Sequence, residues 1–557
     1  MSRGAAIAVV KENEELLTAA YGVQNLETME PVNCDTTLFP AASVSKLFTA
    51  TAIMQLYEQG KLDLEKDIQS YISDISIRNP FEKPITCSDL LTHSSGLDEQ
   101  SELAGSTLDT EKIESQKYYF TKHIPTVIHE PGTVSNYSNM GYNLLGYLVE
   151  SISGQTYEEY VEKNILNPLS MQDSSVRIPQ KECAKGYIYE ENDYTEQPLA
   201  YQYTSGSSGV ITTVKDMEHF MMMHLNGGKY GDNYILKEQT EYDMQKKQFA
   251  NAEVFDGMGY GWIRTHFGKV EVLKHEGALP GYATTMLLIP EENMGIYVAT
   301  NSQTGICFDF EETFMQYFYG SEALEGWCRD EGRNNLSGWS EDEGKINNTQ
   351  EELKDYLGIY RLYDGIARTN LMRIAILFDT TDMKIGLNDD EITLSVYNQK
   401  KELEETTLSY CGNGIFIRQD GKGYIVVEHK DTGESYAYTQ VSHCSYEKIK
   451  WYESKNVLIC LWIIVPLCFI ISTLLLCKKV CKKVHICMAA GSVSSVISVV
   501  VVIVMTIIMV YSYDYRGMIM LYILEVVNLI GIALMFAGDY INVCKCIRKE
   551  YTIKVNI

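Results

Sequence analysis

From Leu47 the apolar residues fall at helical spacing: Leu47, Phe48, Ala50, Ile53, Met54, Leu56 and Tyr57 recur until Gly60. The pattern predicts a helix ended by that glycine. Ahead of it, Gly4 to Tyr21 reads as two strands around a polar turn at Lys11 to Glu15. Strand patterning returns between Phe255 and Asn301, where Val270 to Leu273, Thr284 to Ile289 and Gly295 to Ala299 are separated by turn residues. Early strands, a helical middle and late strands predict an α+β domain over 1–320 whose antiparallel sheet joins both ends. Ser321 to Gln350 is rich in Glu, Asp, Gly, Asn and Ser and reads as a linker. Beyond it, over 351–450, short segments such as Ile392 to Val396, Gly414 to Arg418 and Tyr424 to Glu428 predict a small antiparallel barrel or sandwich. A spacer or a lid packed on the first domain is its expected role, ahead of ligand binding.

The tail changes the class of protein. Val457 to Cys477, Ile486 to Val510 and Gly517 to Gly538 are each apolar and long enough to cross hydrocarbon, which predicts three transmembrane helices and a lipid bilayer as partner. Lys478, Lys479, Lys482 and Lys483 join the first two, and Lys545, Arg548 and Lys549 follow the third. The positive-inside rule puts these clusters in the cytoplasm and everything before Val457 outside it. Such a topology needs a secretory signal, yet Met1 leads straight into Ala5 to Val10, so the expectation is a natural start upstream or a chain that is a fragment. Glu525, beside Asn528 within the third segment, is costly in hydrocarbon and reads as a protonated, hydrogen-bonded group or as part of a proton or signal path.

Charge divides the same way. The net charge is -27, but residues 456–557 hold nine Lys or Arg against four Asp or Glu. The body is therefore strongly acidic, which argues against nucleic acid as a partner. Of 14 cysteines, seven precede the apolar tail (34, 87, 183, 307, 328, 411 and 444), an odd number without regular spacing. No zinc-type spacing occurs, and no metal or other cofactor is assigned.

The chemistry begins at Ser43-Val44-Ser45-Lys46. Ser43 is expected in the first turn of the Leu47 helix, where unpaired N–H groups favour an alkoxide and a nearby oxyanion. Lys46 lies on the same face one turn on, and a neutral amine there can take the hydroxyl proton. Ser445-Tyr446-Glu447-Lys448 repeats the pattern without that helix-start context. Two more constellations add weight. Tyr137-Ser138-Asn139 follows Pro131-Gly132 in a turn-rich loop; a tyrosine there can relay a proton and an Asn amide can orient substrate and lysine. In His275-Glu276-Gly277 the glycine permits close backbone approach, so the Ala278 N–H could complete an oxyanion hole with that of Ser43. His266-Phe267-Gly268 matches the last pattern by chance and is expected in the preceding hairpin.

In this order Ser-x-x-Lys, Tyr-Ser-Asn and His-x-Gly resemble the serine β-lactamase and penicillin-binding-protein superfamily, in its class C β-lactamase-like branch. Leu90-Leu91-Thr92-His93-Ser94-Ser95-Gly96-Leu97, Pro131-Gly132-Thr133, Gly141-Tyr142 to Gly146 and Leu279-Pro280-Gly281-Tyr282 extend the resemblance over about residues 4–305. It implies an antiparallel sheet with a helical subdomain. It also implies Ser43 as acylated nucleophile, Lys46 and Tyr137 as the proton-handling pair, Asn139 as an orienting group, and His275 with Gly277 as the substrate-side strand. His93 looks structural in that family and stays outside the catalytic set. Many β-lactamases and D,D-peptidases have Lys-Thr-Gly where this chain has His275-Glu276-Gly277, a change that should weaken the hold on a substrate carboxylate. Relatives with His-x-Gly resemble esterases, D-amino-acid amidases and teichoic-acid-modifying enzymes. The expectation is a bacterial, membrane-anchored serine hydrolase acting outside the cell on an ester, amide or D-amino-acyl substrate, small or derived from the cell wall. The alternatives are a β-lactam or wall-fragment sensor acylated at Ser43, a D,D-carboxypeptidase or β-lactamase, and a catalytically idle wall-binding protein. The short basic cytoplasmic segments carry no output domain, which counts against the sensor.

Overall fold

The alternation of Gly4–Lys11 places Ala6, Ala8 and Val10 on one face and Ile7 and Val9 on the other, and apolar cores claim both faces. In the computed structural model of the chain this strand is therefore central. The structure describes residues 3–99, 105–190, 193–302, 306–320, 353–362, 382–388, 391–397, 403–420, 423–430, 433–440, 443–457 and 460. The predicted linker and the three apolar tail segments lie outside these residues, apart from 457 and 460. Among the described residues no helix is long and apolar enough to cross a membrane.

A seven-stranded antiparallel sheet is built from β1 (Gly4–Lys11), β2 (Glu14–Asn25), β3 (Glu30–Pro31) and, much later, β5 (Ile263–Phe267), β6 (Val270–Leu279), β7 (Tyr282–Ile289) and β8 (Met294–Thr300), in the order β5-β6-β7-β8-β1-β2-β3. Strands from both ends of the domain meet where Ala5 to Lys11 pair with Thr300 to Met294, as the pattern predicts. The turn between β1 and β2 is made by Glu12 and Asn13, both at positive φ, the geometry that suits a tight hairpin. One face of the sheet packs on the helical part, including α1 (Ser45–Glu58), α2 (Asn139–Ser153) and α3 (Val214–Leu225), through residues such as Phe48, Leu144, Met221 and Met286. The other face is covered by α4 (Ile306–Tyr319) through Phe314 and Met315. A short strand, β4 (Val210–Thr212), joins Phe39–Pro40 just ahead of Ser43.

The later β segments form a closed antiparallel barrel: β9 (Gly358–Leu362), β10 (Asp382–Asn388), β11 (Glu391–Tyr397), β12 (Leu403–Gly412), β13 (Ile415–Arg418), β14 (Tyr424–His429), β15 (Ser435–Tyr438) and β16 (Ser445–Lys448). Closure comes from Tyr360 to Leu362 pairing with Lys448 to Tyr446, which settles barrel over sandwich. The second Ser-x-x-Lys pattern is strand β16. There residues three apart fall on opposite faces, so Ser445 and Lys448 do not share a site as Ser43 and Lys46 do. The barrel and the sheet domain belong to one compact unit, and residues 449–460 belong to another.

Candidate active site

Ser43 sits in a 3-10 turn, Ala42–Val44, that runs straight into α1. It is thus two residues ahead of the α-helix rather than inside its first turn. Ala42 enters this turn at φ +48, a left-handed conformation that costs a non-glycine residue energy and is kept only when neighbours hold it. They do. Ala41 N–H donates to Val210 O at 2.9 Å, Val210 N–H donates to Ser45 Oγ at 2.9 Å, and Thr284 Oγ1 donates to Ala41 O at 2.9 Å. The turn is clamped between β4 and β7.

Lys46 is 0% exposed. Its Nζ lies 3.1 Å from Ser43 Oγ, 2.7 Å from Asn139 Oδ1 and 3.0 Å from Ser207 O. An amide oxygen and a peptide oxygen can only accept, whereas a hydroxyl can also donate. When the amine is neutral its two N–H bonds are therefore claimed by Asn139 and Ser207, and its lone pair is left for the Ser43 proton. The Tyr137 ring stands 4.7 Å from the same nitrogen. Ser43, Lys46, Tyr137 and Asn139 converge on one point. Ser207 was missed from sequence; its signal was Gly206 beside it, where a Cβ would come 2.2 Å from Tyr142 O, so the loop reaches Lys46 only with a glycine at that position.

Tyr137 and Asn139 are held by the start of α2. Ser138 caps the helix by accepting Gly141 N–H at 2.9 Å and donates to Glu99 Oε2 at 3.0 Å. His93 grips both sides of Tyr137: its carbonyl accepts Asn136 N–H at 2.8 Å, and its Nδ1 accepts Ser138 N–H at 3.1 Å. The ring packs against Tyr137 at a tilt of 34°, with centroids 4.4 Å apart. His93 thus positions the tyrosine loop.

On the facing side, β5 pairs with β6 only as far as Lys274. From His275 onward that edge of β6, including Gly277 and Ala278, has no partner strand among the described residues and lies beside the Ser43 turn. A Cβ on Gly277 would fall 2.7 Å from Ala41 O and 2.3 Å from Thr284 Oγ1, so only glycine permits this approach. Strand alternation gives Lys274 and Glu276 a common face. Lys274 Nζ bonds Glu276 at 2.9 Å and Glu311 of α4 at 2.8 Å. Burial opposes charge on Glu276, but Lys274 holds its carboxyl below the usual range. Burial and the nearby Glu276 charge push Glu311 up to about 7 against the pull of Lys274. Lys274 is one residue out of phase with the lysine of Lys-Thr-Gly and is spent on carboxylates, so it does not replace it.

His275 is 1% exposed, and its Nδ1 meets Glu276 O at 2.8 Å. Burial, aided by the charge of Lys46, pushes it down to about 3. Burial likewise lowers His93, and takes His443 of the barrel down to about 4. These rings are uncharged at neutral pH. Unfolded histidines titrate near 6.5, so as pH falls below that value the unfolded chain binds protons that the folded one refuses, and stability is lost down towards the folded values. Between pH 7 and pH 5 each buried histidine is expected to lower the unfolding free energy by up to about 2 kcal/mol. Urea titrations of the full chain and of His275→Gln check this: the variant should lose less stability over that interval, and equal slopes would refute an uncharged His275.

The chain is similar in sequence and in fold to known proteins. Protein flp of Staphylococcus aureus (strain N315) is 27% identical over 309 residues, which cover 54% of this chain and 59% of that protein. Penicillin-binding protein 4 of Amycolatopsis lactamdurans is 26% identical over 330 residues, 56% of this chain and 84% of its own. The octameric penicillin-binding protein homologue from Pyrococcus abyssi shares the fold with a TM-score of 0.52 at 23% identity, over 80% of this chain and 96% of that one. The chain spans 59% of the length of the first of these relatives. The Beta-lactamase family model matches residues 1–313, more than half of the 557 residues, and the chain belongs to that family.

Proposed function

We propose that this protein is a serine hydrolase that works through an acyl-enzyme at Ser43. The observation that carries the reading is the bonding of Lys46, whose nitrogen meets Ser43 Oγ while Asn139 and Ser207 take its other two directions. In the acylation step Ser43 Oγ attacks the carbonyl carbon of the donor and its proton passes to Lys46 Nζ. The oxyanion is met by the backbone N–H groups of Ser43 and Ala278. As the tetrahedral intermediate collapses, the bond to the leaving group breaks and that group takes a proton by way of Lys46 and Tyr137. Water then attacks the ester, releases the acid and restores Ser43.

Within this reading the donor is an ester, amide or D-amino-acyl compound, small or drawn from the cell wall, since His275-Glu276-Gly277 offers no free cation to a carboxylate. The class C-like assignment, a bacterial cell-membrane location with the catalytic part outside, and anchoring by residues 457–477, 486–510 and 517–538 belong to the same proposal; the apolarity of those segments and the lysines between them support it. Treatment with a fluorophosphonate and, separately, with a labelled penicillin, followed by peptide mass spectrometry, tests the reading. A fluorophosphonate adduct is expected on Ser43, with the penicillin adduct weaker or short-lived. A folded chain with no adduct on Ser43 would refute the acyl-enzyme, and a penicillin adduct that persists for hours would favour the sensor.

A further inference from the structure

The barrel is joined to the loop that carries Tyr137. Val134 packs in one apolar cluster with Ile417, Val426 and Tyr438, Tyr436 Oη and His129 Nδ1 are 2.9 Å apart, and Lys430 Nζ reaches Thr133 O at 3.4 Å. From this footing the connection between β15 and β16 delivers His443 to the site. The His443 carbonyl accepts Tyr137 N–H at 2.8 Å, and its ring lies edge-on to the tyrosine with centroids 5.3 Å apart. Glu276, Lys274 and Lys46 all act on it electrostatically.

Three imidazole nitrogens here are left over, His93 Nε2 among them, and two belong to rings that the tyrosine-loop grip does not use. His443 Nδ1 and His275 Nε2 are buried without a hydrogen-bond partner among the described residues. A buried polar atom without a partner is costly unless something else fills the place. Around Lys46 stand Tyr137, Asn139, His93, His275 and His443, and the lysine itself is committed to three protein oxygens. A donor with a carboxylate next to the scissile bond would meet uncharged side chains and a lysine already bonded to three protein oxygens, with the Glu276 carboxylate close by, whereas an uncharged carbonyl or amide would find partners.

We propose that His443 is a specificity-determining residue of the Ser43 site, supplied by the barrel, whose Nδ1 hydrogen-bonds an ester or amide donor lacking a carboxylate beside the scissile bond. The inference rests on the acyl-enzyme reading and is tested separately from it. Full-length wild type, His443→Ala and His443→Asn are assayed on D-alanine amide and on D-alanyl-D-alanine, which share the acyl group and differ in the charge of the leaving side. Ser43 labelling by a small fluorophosphonate is timed in parallel. Wild type should prefer the amide. His443→Ala should raise KM for it by roughly tenfold, the worth of one hydrogen bond, with kcat and the labelling rate within about twofold, and His443→Asn should restore much of the loss. Equal handling of the two donors by wild type, inactivity on both included, overturns the inference, as does an unchanged KM in His443→Ala or a labelling rate that falls with turnover. Failure of wild-type Ser43 to label overturns the acyl-enzyme reading instead.

Discussion

Ser43→Ala should remove turnover altogether, by roughly 10⁶-fold where the wild-type rate allows it to be measured, because a nucleophile that acts with its base as a unit leaves nothing to substitute for it. The fold should survive. The turn is held by Ala41, Ser45, Val210 and Thr284, while Ser43 Oγ contributes its contact with Lys46. Loss of one such bond should cost about 1 kcal/mol. Ser445→Ala is the matched control, since it breaks the same sequence pattern in barrel strand β16 and should leave turnover unchanged. Turnover and thermal midpoint measured on all three chains decide the matter: activity retained in Ser43→Ala would place the nucleophile elsewhere, and activity lost equally in both variants would point to a folding defect.

The legible parts of this site are those whose geometry is local. Ser43 and Lys46 are three residues apart at a helix start, so helical phase alone brings them together. Gly277 could be read as a point of close approach because no other residue has that freedom, and strand alternation separates His275 from Glu276. The paired ends of the sheet followed from apolar runs at both ends of the domain. Strand β6 itself, however, runs on to Leu279, well past the apolar stretch Val270 to Leu273, because pairing with β7 carries the polar His275-Glu276 through a sheet that their propensities would not suggest. What could not be read is long-range. Barrel closure depends on Tyr360 meeting Lys448, and no local period encodes that pairing. His443 sits in an unremarkable connection between strands, and it is brought to Tyr137 by long-range contacts of the barrel with Val134, His129 and Thr133. Ser207 acts through its carbonyl, which every residue possesses, so its side chain gave no hint.

Lys46→Met should slow acylation of Ser43 by about 10²- to 10⁴-fold, the range associated with losing a positioned general base, and should also lower stability. The side chain is fully buried, and methionine fills a comparable volume while withdrawing the donor from Asn139 Oδ1 and Ser207 O. Each buried oxygen left without that partner costs about 1–3 kcal/mol, so the unfolding midpoint should fall as the labelling rate does. The two effects separate in Lys46→Arg. Arginine keeps a positive charge and several donors for Asn139 and Ser207, but it stays protonated and has no lone pair to accept the Ser43 proton. If Lys46 removes that proton, the arginine chain should be more stable than the methionine chain and just as slow to react with a fluorophosphonate. Rapid labelling of Lys46→Arg would instead mean that a fixed cation beside Ser43 is sufficient, and would take Lys46 out of the proton's path.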